Sequence, residues 1–256
     1  MLERIAAQKR LEVDQLKASL NLTGLLPPKE SINPRSILTH SRRVSVIAEI
    51  KKASPVKGVL CADFDPVGLA AAYADNGAAV LSVITDNKFF QGSPALIQDI
   101  RPQAELPVLR KDFIIDELQL YETVLLGADM VLLIAALHDY SALLRLSLKC
   151  KELGIEPLLE VHDREELKKV LDLPVQIIGV NNRNLKDFTV DITTSLELAD
   201  YIPDSLIKVS ESGINKPADM QRLAAWGFNA ALIGEALVSS PNPGAKLKEL
   251  VNYEQG

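Results

Sequence analysis

Four glycines in this chain sit in the same local setting, and that repetition limits the fold more than any other feature. Gly77 is followed within a few residues by Ala79-Val80-Leu81-Ser82-Val83-Ile84, and Gly127 by Met130-Val131-Leu132-Leu133-Ile134. Gly154 precedes Pro157-Leu158-Leu159-Glu160, and Gly227 precedes Ala230-Ala231-Leu232-Ile233-Gly234. In each case a helical pattern stops at a residue suited to the left-handed helix-closing position, and an apolar run follows. Val44–Lys51, Val108–Lys111, Gln176–Asn181 and Leu206–Glu211 bring the runs to eight, spaced widely enough for one helix between each pair. One helix start is explicit: Asp65 as N-cap, Pro66 at the first helical position, then Leu69 and Tyr73 on a common face up to Gly77. Near-continuous apolar strands alternating with helices imply a parallel sheet covered by helices. Eight such units fit a closed (β/α)8 TIM barrel better than an open doubly wound sheet, and no Gly-x-Gly-x-x-Gly turn follows the first run. The expected class is α/β, with a single barrel over residues 44–256.

Residues 1–43 fall outside this count. Leu2, Ile5, Lys9, Val13, Leu16 and Leu20 recur at helical spacing and predict a mainly amphipathic helix. The segment is therefore an N-terminal helical extension expected to pack on the barrel. Pro27-Pro28 breaks the pattern, and the stretch to Arg43 reads as a connecting segment.

The net charge of −6 and the lack of any Lys/Arg-rich run argue against nucleic acid as a partner. An anionic substrate would have to meet locally placed lysines and backbone N–H groups. The longest apolar run, Met130 to Leu137, is too short to span a bilayer, so no membrane partner is expected. Met1 to Arg10 lacks an uninterrupted apolar signal core, and a cytoplasmic location is expected. Cys61 and Cys150 form no CxxC or Cys/His cluster, and His40, His138 and His162 are too scattered to read as a metal site.

Charged residues gather where such a barrel carries its chemistry, at the C-terminal ends of strands. Glu49 and Lys51 lie two residues apart on the first run, hence on one face, where a buried strand has no structural use for opposite charges. Lys111 ends the third run, Glu160 the fifth, Asn181 the sixth, and Glu211 with Ser212-Gly213 the seventh. Lysines and carboxylates around one mouth tune each other's proton affinity, as general acid–base chemistry requires. A structural ring of salt bridges is the alternative, and repetition at five strand ends disfavours it. Ser212-Gly213 and Gly234-Glu235 match the loops that hold phosphate in these barrels, with the Glu235 backbone N–H facing the anion and its side chain facing solvent. The other reading is that both glycines simply turn the chain.

Taken in order, IAEIKKASPVKG (47–58), LRKDFIID (109–116), ADMVLLIAAL (128–137), PLLEVHD (157–163), IGVNNRNL (178–185), VSESGI (209–214) and LIGEALV (232–238) resemble the indole-3-glycerol-phosphate synthase family. The resemblance covers most of the chain. It implies closure of the indole ring on 1-(2-carboxyphenylamino)-1-deoxyribulose 5-phosphate, with loss of carbon dioxide and water and with no cofactor. By that resemblance Lys111 is the general acid at the substrate ketone. Lys51 and Glu160 share the remaining proton transfers, Glu49 pairs with Lys51, and Asn181 orients substrate hydroxyls. Arg183 supports the site, while Ser54, Glu211, Ser212, Gly213, Gly234 and Glu235 line the substrate or phosphate pocket. Phe90, Phe113, Leu132 and Leu185 are the implied clamp for the aromatic ring, although apolar residues at strand ends are usually core. Contact with other tryptophan-pathway enzymes is compatible with such an activity. One departure stands in the first loop, where the family's Ser-Pro-Ser-Lys-Gly becomes Ser54-Pro55-Val56-Lys57-Gly58. Phosphoribosylanthranilate isomerase, a related barrel, would need a Cys and an Asp as acid and base. Here Cys61 lies beyond the strand end, where Glu49 and Lys51 stand instead. A non-catalytic barrel would not be expected to keep Lys51, Lys111, Glu160 and Asn181 together.

Overall fold

The computed structural model describes residues 2–20, 33–39, 43–185 and 187–253. Eight parallel strands close into a barrel in chain order: β1 Ser45–Ile50, β2 Val80–Ile84, β3 Val108–Lys111, β4 Met130–Ile134, β5 Glu156–Val161, β6 Ile177–Asn181, β7 Ile207–Glu211 and β8 Ala230–Ile233. β1 pairs with both β2 (Glu49 opposite Ser82) and β8 (Ala48 opposite Ile233), which closes the ring. The strand ends differ from the apolar runs by no more than one residue, because pairing and not hydrophobicity terminates a strand.

Alternation along each strand sorts side chains into two cores. Val46, Ala48, Ile50, Leu81, Val131 and Leu159 face outward and are buried under the helices. Ile47, Val80, Leu109, Met130, Leu158, Ile177, Val209 and Ala230 face inward and fill the barrel's lower interior. Burial of each such side chain stabilises the fold by about 1.5–3 kcal/mol before conformational entropy is counted.

The helix Pro66–Asp75 begins as expected, with the Asp65 side chain accepting the Gly68 N–H at 2.9 Å. Gly77, Gly127, Gly154 and Gly227 all have φ between 70° and 93°, so the repeated glycine signal marks real left-handed helix ends.

The N-terminal helix runs Leu2–Ser19 and buries Ile5, Lys9 and Val13. Leu20 falls just past its end. Pro27-Pro28 and His40 lie outside the described residues. The connecting stretch is not all irregular, since Pro34–Thr39 forms a short helix. Its Leu38 is fully buried in the inner core with Ile47, Met130 and Ile207, stopping the lower end of the barrel. Ile37 and Leu38 are adjacent and no apolar residue recurs at helical spacing around them, so the sequence carried too little periodicity to reveal that turn. Farther along, Tyr253 ties the C-terminal end of the chain to the strand start, its hydroxyl accepting the Val44 N–H at 3.1 Å.

Candidate active site

The inward positions change character near the top of the barrel. Above the apolar layer, β1 turns Glu49 inward and Lys51 follows just past the strand. Their opposite charges meet, with Lys51 Nζ 2.6 Å from Glu49 Oε2. Burial alone would raise the Glu49 pKa; Lys51 first and Lys111 next outweigh it, and the carboxyl sits below its usual range. A Cβ on Gly234, at the end of the neighbouring β8, would overlap Glu49 Oε2. The glycine in Leu-Ile-Gly-Glu thus makes room for a carboxylate as well as turning the chain.

Lys111 stands at the centre. Its Nζ lies 3.3 Å from Glu160 Oε2 on β5 and 3.4 Å from Glu211 Oε2 on β7. Burial would push the ammonium toward neutrality, but Glu211, Glu160 and Glu49 hold its pKa above the ordinary lysine value. The two carboxylates differ. Glu211 is raised to about 8, first by burial and then by the like charge of Glu160, with Lys111 opposing. Glu160 is lowered, because Lys111, His162 and Asn181 together overcome its burial. The two carboxyls beside the same lysine are therefore pushed in opposite directions, Glu160 toward the carboxylate and Glu211 toward the acid. Space for this pair comes from Gly179 on β6, where a Cβ would overlap Glu211 Oε1.

Asn181 Oδ1 accepts both the Arg183 N–H and the Ser212 hydroxyl, each at 3.0 Å, which fixes the amide with its donor side toward Glu160 and the cavity. Ser212 and Gly213 have successive positive φ values of 68° and 80°. A loop of that kind turns consecutive backbone N–H groups to one side, a common way to meet an anion. Three cations border this region: Lys51, Lys57 and Arg183.

Glu235 departs from expectation. Its side chain does not simply face solvent; Oε1 pairs with Lys57 Nζ, and Oε2 lies 3.9 Å from Arg183 Nη2. Two cations lie within its reach, and sequence spacing could not show that the first loop reaches this strand end. In that loop Ser54 Oγ accepts the Lys57 N–H at 3.1 Å, shaping the turn. Val56 lies in the cavity wall and is 53% exposed.

All sixteen residues named from the sequence line one cavity of about 450 Å³. Phe90 and Phe113 form part of its apolar side, with ring centroids 6.1 Å apart and planes tilted by 39°. Leu132 and Leu185 line it too, joined by Ile84 and Ile134. A flat apolar body with an anionic tail fits a chamber that is apolar on one side and cationic on the other.

Sequence reasoning missed two groups that support the wall from outside the cavity, Lys9 and His162. Lys9, assigned to the apolar stripe of the first helix, is 1% exposed and ion-paired. Its Nζ meets Asp112 Oδ1 at 2.7 Å and Asp86 Oδ2 at 3.0 Å. Asp86 Oδ1 in turn accepts the N–H groups of Phe89 and Phe90, and Asp112 directly follows Lys111 in the chain. A lysine on an otherwise apolar stripe was the available signal. The second group is His162, whose Nε2 lies 3.2 Å from Glu160 Oε1.

Comparison with known proteins follows the same lines. A family described as indole-3-glycerol phosphate synthase matches residues 2–250. The chain is similar to indole-3-glycerol phosphate synthases of Desulfotalea psychrophila, at 47% identity over 98% of each chain, and of Desulforamulus reducens, at 43% identity over 98% of this chain and 97% of that one. Among solved structures, a 3-hexulose-6-phosphate synthase superposes with a TM-score of 0.66 at 16% identity, covering 82% of this chain and 99% of that one. A KGPDC from Streptococcus mutans gives 0.64 at 9% identity, covering 83% and 98%. These two likenesses establish the barrel alone. The near-complete family match and the relatives that span the whole chain go further, and they agree with a lysine-centred chamber of mixed apolar and cationic walls: the chain belongs to the indole-3-glycerol phosphate synthase family.

Proposed function

We propose that Lys111 is the acid of a decarboxylating ring closure and that Glu160 and Glu211 complete its proton transfers. The family's reaction joins the carboxylate-bearing ring carbon of 1-(2-carboxyphenylamino)-1-deoxyribulose 5-phosphate to the ketone carbon, then expels carbon dioxide and water. Attack on the ketone places negative charge on its oxygen. A buried ammonium held protonated by the Glu160 and Glu49 carboxylates, with the Glu211 carboxyl beside it, is suited to stabilise and protonate that oxygen. Loss of the carboxylate as carbon dioxide leaves a hydroxyl on the new ring. Its departure as water needs a proton donor, and formation of the second ring double bond needs a proton acceptor. Glu211 and Glu160, one protonated and one ionised, are the pair suited to those two tasks.

Lys51, aligned by Glu49, faces the same chamber and supports the condensation step. Asn181 orients the sugar hydroxyls. Ser54, Arg183, Ser212, Gly213, Gly234 and Glu235 surround the phosphate end, and Phe90, Phe113, Leu132 and Leu185 enclose the aromatic end. The observation that carries this reading is Lys111 lying between Glu160 and Glu211 at 3.3 and 3.4 Å. Residues 1–43 act with the barrel of 44–256, since Lys9 pairs with Asp86 and Asp112, two aspartates in the cavity wall. The free thiols Cys61 and Cys150 support action in the reducing cytoplasm.

The test is to add the carboxyphenylamino-deoxyribulose phosphate and follow the rise of indole fluorescence. Folded protein that produces no such rise would refute the assignment. In the same assay Lys111→Ala should lower kcat by about 10²-fold or more with KM little changed; a loss confined to KM would make Lys111 a binding group instead.

A further inference from the structure

Glu160 and Glu211 are nearly equivalent from the viewpoint of Lys111. Each offers its Oε2, at distances that differ by a tenth of an ångström. Both are buried, and both come from inward strand-end positions. Lys111 alone therefore cannot decide which of the two is ionised. Two groups favour the charge on Glu160: the Asn181 amide turned toward it and, on its far side, a second cation.

His162 follows two residues later on the same edge. Its Nε2 is 3.2 Å from Glu160 Oε1, an ion-pair contact and not a straight hydrogen bond. Its Nδ1 is 3.0 Å from Glu166 Oε2, and that oxygen also accepts the His162 backbone N–H at 2.9 Å. One carboxylate thus holds both the ring and the backbone of the histidine. Glu166 is itself fixed at a helix start, where its N–H donates to the Asp163 cap at 2.9 Å. The ring is 9% exposed and lies outside the lining of the substrate cavity, so it acts through Glu160 and not on the substrate.

The charges facing the ring are Glu160 on one nitrogen and Glu166 on the other. Lys169 donates its ammonium protons to the carbonyls of Ala135 and His138, at 2.6 and 2.9 Å. His138 is bound to the Ile114 carbonyl at 2.8 Å, with its pKa lowered first by burial. Two carboxylates outweigh the effect of burial on His162 and raise it to about 10. Glu211 has no such neighbour, and its Oε1 is buried without a hydrogen-bond partner.

We propose that His162 is a positioning residue that decides which carboxyl beside Lys111 carries the negative charge, selecting Glu160 as the carboxylate and leaving the proton on Glu211. This rests on the reading of those carboxyls as the acid–base pair of the ring closure. Without the imidazolium the shared proton redistributes toward Glu160, and each pK unit of lost bias changes the ratio of the two forms about tenfold.

Carbon-13 carboxyl shifts of Glu160 and Glu211 report this directly, in the absence of substrate, once assigned with Glu160→Gln and Glu211→Gln. In the unaltered protein near pH 7, Glu160 should show the ionised shift and Glu211 the neutral one. In His162→Gln, Glu160 should move toward the neutral shift and Glu211 toward the ionised one. Glu166→Gln, which leaves the imidazole in place, should move both the same way by less. In turnover, His162→Gln should lower kcat about tenfold with KM within about twofold. Unchanged carboxyl shifts in both variants would overturn the proposal, as would a loss expressed only in KM. Failure of the unaltered protein to form the indole product would instead refute the ring-closure reading, and the carboxyl shifts would still judge the role of His162.

Discussion

Gly179→Ala tests the link between an empty volume and catalysis. Gly179 lies on β6 with its missing side chain directed at Glu211, and an added methyl would overlap Glu211 Oε1 while meeting Leu158 Cδ1 at 3.3 Å. The backbone and the leucine are locked in the inner core, so the carboxylate is the part that yields. Reaching ordinary van der Waals contact takes a retreat of about 1 Å, which stretches the Lys111 contact past the range of about 4 Å that defines an ion pair. The stability cost is an overpacking cost, about 1–3 kcal/mol and toward the lower end because a side-chain tip moves. For a chain of this size that is a fall in Tm of roughly 2–6 °C. The activity cost is larger in proportion: a misplacement of about 1 Å in a reacting group lowers kcat about 10²-fold. The assay pairs a thermal melt with steady-state turnover at saturating substrate. A variant with a lowered Tm and unchanged kcat would refute the argument, because Glu211 would then be displaced without consequence.

Other perturbations separate the parts of the site. Lys9→Met leaves Asp86 and Asp112 buried without their shared cation, at a cost of about 3–5 kcal/mol, and the Phe90 segment held by Asp86 should loosen. An unchanged urea midpoint would contradict that. Glu235→Gln removes the carboxylate that competes for Lys57 and Arg183. Inorganic phosphate should then bind up to about fivefold more tightly, an advantage that salt erodes; equal or weaker binding would mean that Glu235 organises the loop. Stability should also depend on pH through groups whose folded pKa is raised. Glu211 stabilises fully below its unfolded value and loses that contribution as pH rises through about 8; His162 does the same as pH rises through about 10. Melting temperature should therefore decline from neutral pH toward pH 10, and less steeply in His162→Gln.

The barrel was legible because its signals are local and repeated. A helix-ending glycine and an apolar run recur at one spacing, and the structure shows those glycines at positive φ. The strand-end residues were legible for a related reason: a charge inside an apolar run, as at Glu49 or Lys111, has no local justification. What stayed hidden depends on distance across the fold. Lys9 and Asp112 are far apart in the chain yet 2.7 Å apart in space. The Lys57–Glu235 pair joins the first strand end to the last. Gly179 and Gly234 were visible as glycines, but their purpose lies in carboxylates on neighbouring strands. His162 sat in plain view within PLLEVHD, although one histidine beside a glutamate does not reveal that the glutamate faces a lysine on its other side.

The plug made by Leu38 and the filled layer above it give the barrel the shape of a cup with a closed floor. The first-loop residues Ser54 to Lys57 stand at its rim, with Lys57 reaching across to Glu235. Substrate enters by this mouth, and carbon dioxide, water and the phosphorylated product leave by it. Arrival and departure therefore share one doorway. The gas, small and uncharged, can pass a bound sugar phosphate, whereas the next substrate must wait until the phosphate of the last product lets go. If Lys57 and Arg183 hold the phosphate as proposed, their release of the departing anion would set a ceiling on turnover that faster chemistry on the floor of the cup would not raise.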